Sequence, residues 1–134
     1  MYIPENLRQQ VAKRANYCCE YCLFPEVFLA TIFHIEHIRS LKHGGKTILI
    51  NLAYACPHCN QNKGSNIATF LSGDSDQLIR LFNPRKDVWT QHFEVVNGEI
   101  LPLTSIAEGT IRILDMNQVD RLILRKALID AGVY

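Results

Sequence analysis

Apolar residues recur at helical spacing near the start of the chain, where Leu7, Val11 and Ala15 fall on one face of Pro4–Asn16. Pro4 suits a first helical turn, which has no internal use for the missing N–H. The pattern predicts a short amphipathic helix that carries Arg8, Lys13 and Arg14 on its polar side. The period then changes. The stretch 27–38, VFLATIFHIEHI, is rich in β-branched and aromatic residues and reads as a strand that Gly44 and Gly45 interrupt. A second short strand is expected over Asn51–Ala55. A helix of about two turns follows, opened by Pro57, closed by Gly64 and holding Cys59, Asn60 and Lys63.

Past Gly73 the pattern predicts a helix over Asp74–Phe82, a turn at NPRKDVW, and a hairpin in HFEVVNGEILPL with Asn97 and Gly98 at its tip. Ser105 and Glu108 have capping-box spacing ahead of Ile111–Leu114. A last helix, Asn117–Asp130, is expected to bury Val119, Leu122, Ile123, the Lys126 stem and Ala127, with Gly132 at its end. This order gives an α+β protein with an N-terminal part, 1–73, and a C-terminal extension, 74–134, packed on it.

Composition adds few constraints. A chain of 134 residues, 48% hydrophobic, is ordinary for a small globular protein. Its apolar runs fall far short of the roughly 20 residues that cross a bilayer. The opening MYIPENLRQQ lacks a basic start followed by an apolar stretch. A cytoplasmic protein with no membrane partner is the expectation. The net charge is only +1, but from His37 to Gly73 there is no Asp or Glu, while Arg39, Lys42, Lys46 and Lys63 fall inside that window. A local cationic surface suits a phosphate chain; solvated loop lysines are the competing reading.

Cysteine usage is more specific. Of Cys18, Cys19, Cys22, Cys56 and Cys59, four form two C-x-x-C pairs. In a reducing compartment such pairs point to zinc before disulfides. Four thiolates make a closed tetrahedral site that holds a fold and leaves no position for substrate. Cys18 is left over, a small packed residue.

With the cysteines in place, the string C-x-x-C, IEHI, HGG and NLAYACPHCNQNKG resembles the HNH endonuclease family, the zinc-containing branch of the ββα-metal nucleases. The resemblance covers Tyr17–Ser65 and rests on Glu36, His37, Asn51, Leu52, Cys56, Cys59, Asn60 and Lys63. The tail, with LFNPRKDVW, HF and GTIRILDMN, looks like a subgroup of small bacterial members, although Ala107, Glu108, Gly109 and Thr110 stand where that subgroup commonly has Gly-Arg-Ala-Thr.

The resemblance implies a ββα-metal (His-Me finger) core and a divalent-metal-dependent endonuclease that leaves 5′-phosphate and 3′-hydroxyl ends. His37 would be the general base, an imidazole being a competent proton acceptor near pH 7. Glu36 and Asn60 would hold Mg²⁺ or Mn²⁺ as oxygen ligands. Asn51 would tie the loop by hydrogen bonds and orient the base. Adjacent strand residues point to opposite faces, so joint use of Glu36 and His37 requires the strand to end or distort there. Arg39, His43, Lys46, Lys63 and Arg85 are the candidate contacts to DNA or RNA, and Trp89 with His92 a candidate stacking surface. His34 and His58 read as non-ligands. A monomer would nick one strand and a homodimer could cut both. The alternative is a non-catalytic zinc module that binds nucleic acid.

Overall fold

In the computed structural model, which describes residues 2–134, helix α1 spans Glu5–Arg14 with Pro4 as its N-cap. Val11 and Ala12 form its buried face, and Glu5 at one end with Lys13 and Arg14 at the other complement the helix dipole. Arg14 reaches across to donate to the carbonyls of Leu49 (2.9 Å) and Leu52 (2.6 Å).

Strand β1 is His34–His37, much shorter than the expected 27–38. Residues Glu26–Phe28 instead make a single 3-10 turn after Pro25, with Val27 and Ile32 exposed. The Glu26 carboxylate explains the difference. It accepts from the Tyr54 hydroxyl (2.6 Å) and the Phe33 N–H (2.7 Å), which ties the segment down as a loop. Strand β2, Leu52–Ala55, is buried throughout and pairs antiparallel with β1 in the register Glu36↔Ala53, His37↔Leu52. Helix α2, Pro57–Lys63, follows directly, with Cys56 as N-cap and Gly64 closing it at φ +51°. Strand, loop, strand, helix is the expected order, and the α+β class holds.

The chain divides into two compact units, Met1–Ser65 and Asn66–Tyr134. Residues just past Ser65 belong to the second because β3, Ala68–Thr69, pairs with β4, Ile79–Arg80. No helix forms over Asp74–Phe82. The polar run there favours turns: the Ser75 hydroxyl accepts from the Gln77 N–H at 3.1 Å, a local bond that competes with helix formation.

In the second unit a short helix α3, Trp89–His92, leads into the hairpin β5, Phe93–Val96, and β6, Glu99–Pro102. Asn97 (φ +53°) and Gly98 (φ +86°) supply the two left-handed residues that such a turn requires. Helix α4, Ser105–Leu114, is capped one residue earlier than the sequence suggested. Thr104, not Ser105, accepts from the Ala107 N–H at 3.1 Å, so Glu108 lies outside a capping box.

Helix α5, Val119–Asp130, buries a different face from the one expected. Val119 and Ile123 are 65% and 66% exposed, the Lys126 stem and Ala127 are also outside, and Arg125 with Leu128 is buried. The Arg125 fork donates to the carbonyls of Gly98 and Met116, both at 2.8 Å, and so satisfies backbone acceptors at the hairpin tip and the α4–α5 turn. No helix among the described residues is long and apolar enough to cross a membrane.

Candidate functional site

The two C-x-x-C elements converge. Cys19 and Cys22 come from the knuckle after α1, while Cys56 and Cys59 come from the β2–α2 junction. All four are buried, and their sulfur atoms lie within 4.8 Å of one another. The Cys22 and Cys56 sulfurs are 3.7 Å apart. Zn–S bonds of ~2.3 Å in a tetrahedron set sulfur–sulfur separations of about 3.8 Å, so the donor set fits a metal ion of that kind. The N–H groups of Cys22 and Cys59 point at the sulfur three residues back, each at 3.5 Å. Such contacts offset thiolate charge. Burial, and then the neighbouring Cys22 and Cys56 side chains, push the Cys19 thiol well above its usual range, and a bound cation would reverse that preference. Cys18 stands apart, half-buried, with its sulfur 3.5 Å from the Asn16 carbonyl.

At the end of β1 the pairing stays regular, so Glu36 and His37 project to opposite faces. Glu36 faces inward. Its side chain is 4% exposed; one carboxylate oxygen accepts from the Tyr21 hydroxyl, and the other lies 3.4 Å from the Lys63 ammonium. Burial raises the Glu36 carboxyl above its usual range, while Lys63 and the Tyr21 hydroxyl favour its charge. A carboxylate buried without partners would cost several kcal/mol. These contacts depart from the expectation of Glu36 as an oxygen ligand for a divalent ion beside Asn60: both of its carboxylate oxygens are engaged, by Tyr21 and by Lys63.

Lys63 corrects a second expectation. It is only 1% exposed and donates to the Ile38 carbonyl (2.7 Å) and the His37 carbonyl (3.3 Å), which binds α2 to β1 and removes it from any substrate surface.

His37 faces the other way and is half-buried, with Nε2 2.9 Å from the Thr47 hydroxyl. Burial, and then the nearby Lys63 charge, lowers its pKa, which favours the neutral imidazole. The loop returning to β2 is organised by Asn51. Its Oδ1 accepts from the Arg39 N–H (2.9 Å), and its Nδ2 donates to the carbonyls of Arg39 (2.9 Å) and Lys46 (2.8 Å). Gly45 makes that closure possible, since a Cβ there would sit 1.8 Å from the Arg39 carbonyl oxygen and 2.9 Å from Asn51 Nδ2. Gly45→Ala is therefore expected to destabilise the folded protein by ~1–3 kcal/mol through overpacking, read from urea unfolding of zinc-loaded protein.

The same loop exposes Arg39, Lys42, His43 and Lys46, the Arg39 guanidinium being partly spent on the His43 carbonyl at 2.6 Å. His34 is exposed at the start of β1; His58 and Asn60 are half-buried on α2. In the second unit, Arg85 is half-buried in a turn where its N–H binds Asn83 Oδ1 at 2.8 Å. Trp89 packs on Phe93 with ring centroids 4.8 Å apart, and His92 Nδ1 meets the Thr104 hydroxyl at 2.7 Å. Both side chains serve internal packing there, not an open stacking surface.

Two residues at the site escaped the sequence reading, Tyr21 and Thr47. Tyr21 sits between two cysteines, where a knuckle needs only a spacer, and nothing local marks it as a partner of Glu36. Thr47 follows the double glycine; the turn that carries it back to His37 was legible, its hydroxyl's target was not.

A family model described as HNH endonuclease matches residues 19–66. Comparison with curated proteins and with solved structures found no match.

Proposed function

We propose, on the match of an HNH endonuclease family model to residues 19–66, that this chain hydrolyses phosphodiester bonds in DNA, with His37 as general base and a structural zinc on Cys19, Cys22, Cys56 and Cys59. The observation that carries the reading is the outward His37 ring, anchored on Thr47, beside the cationic loop of Arg39, Lys42, His43 and Lys46. Polyanion attraction is the physical role of that loop. When Nε2–H donates to Thr47 Oγ1, Nδ1 carries the free lone pair and can take a proton from an attacking water. Zinc, once bound, supplies no open coordination position; it clamps both ends of the segment that carries His37.

Nicking of supercoiled plasmid in Mg²⁺ or Mn²⁺, the hard cations that phosphates recruit, tests the reading across pH. The base must be neutral, so cleavage is present above the His37 pKa and falls about tenfold per pH unit below it. Burial lowers that pKa, which puts the acid limb below the ordinary imidazole value of ~6.5. A limb centred above pH 7 contradicts the assignment.

The buried state of Glu36 favours one other reading, a non-catalytic zinc module that binds nucleic acid through the same loop. Salt-sensitive DNA binding with no cleavage under any divalent ion would select it.

A further inference from the structure

We infer that Tyr21, Glu36 and Lys63 form a buried brace that runs from the cysteine knuckle to the backbone of His37, and that Glu36 serves this brace in place of a divalent ion. The inference rests on the reading of His37 as the base. It starts from an accounting of charge and donors. The Lys63 ammonium has three N–H groups and three oxygen neighbours: Glu36 Oε2 at 3.4 Å, the Ile38 carbonyl at 2.7 Å and the His37 carbonyl at 3.3 Å. Glu36 Oε1 is taken by the Tyr21 hydroxyl. A second cation at this carboxylate would have to displace the ammonium from a cage in which both side chains are at most 4% exposed.

The connectivity gives the brace its consequence. Tyr21 lies between two of the four clustered cysteines and is 1% exposed, so its hydroxyl is fixed by the knuckle. Through Glu36 and Lys63, that fixed point reaches the last carbonyl of β1 and the one after it. These carbonyls set the direction in which the His37 side chain leaves the strand, away from Glu36 and toward Thr47. Tyr21, Glu36 and Lys63 are positioning residues; none touches the reacting atoms.

Tyr21→Phe removes one hydroxyl and nothing else; Glu36→Gln keeps the shape and removes the charge. Both are studied in the full zinc-loaded chain, with plasmid nicking measured against DNA and Mn²⁺ concentration, and with the His37 ring resonances followed by NMR. Each variant is expected to lower kcat tenfold or more, to leave KM for DNA unchanged, and to require the same Mn²⁺ concentration as wild type for half-maximal cleavage. The His37 resonances are expected to move while those of exposed His34 stay in place. A tenfold or greater rise in the Mn²⁺ requirement of Glu36→Gln overturns the inference, as do unmoved His37 resonances in Tyr21→Phe. Wild type that cleaves nothing sinks the nuclease reading instead, and the NMR comparison still decides whether the brace holds His37.

Discussion

Cys59→Ser is expected to leave the chain without zinc and without the folded core of its first unit. The four sulfurs are buried within 4.8 Å of one another, close enough for all four to reach one ion. Structural zinc binding contributes ~10 kcal/mol or more in small zinc peptides, comparable to the whole net stability of a typical domain. A serine hydroxyl at position 59 cannot replace the thiolate as a ligand, so the tetrahedral set loses one of its four donors. Zinc content should fall from about one per chain to none. Hydrogen exchange should show the β1, β2 and α2 amides unprotected while the second unit keeps its protection. Retained protection in β2 without zinc would mean that the cysteines are only packed neighbours.

His37→Ala is expected to lower the cleavage rate by ~10²–10⁴, the usual contribution of a positioned general base. Stability should change little. The ring is half-buried and bonded to the Thr47 hydroxyl, and the backbone at this position is held by Lys63 and by the pairing with Leu52. DNA binding should also survive, because the cationic side chains lie on the neighbouring loop. The expected kinetic pattern is a fall in kcat with KM unchanged, which circular dichroism and zinc content would separate from misfolding.

Where sequence was informative, local chemistry fixed the answer. Two C-x-x-C pairs, a proline that opens α2 and a glycine that closes it, and Asn-Gly at a hairpin tip each constrain their own few residues, and each element appears where it was expected. The failures share a cause, a distant partner. Val27 and Ile32 have strand-like side chains, yet Glu26 holds their segment as a loop through Tyr54, far along the chain. Helix α5 turned because Arg125 found carbonyls on the β5–β6 tip and the α4–α5 turn, an outcome that apolar spacing alone does not encode.

The site followed the same division. Asn51 organises its loop through Arg39 and Lys46, contacts within a short stretch of chain. The fates of Glu36 and Lys63 depended on each other and on Tyr21, so motif spacing placed them side by side without revealing that they neutralise one another in the interior. Strand alternation did carry the warning. A regular β1 sends Glu36 and His37 apart, and β1 is regular.

The most direct test of the central claim is single-turnover cleavage of end-labelled DNA by zinc-loaded wild type and His37→Ala, in Mg²⁺ or Mn²⁺, at protein concentrations that saturate both with substrate. The account predicts cleavage by wild type and a rate at least ~10² lower for the variant at equal DNA occupancy. Equal rates for the two proteins, or no cleavage by wild type, would contradict it.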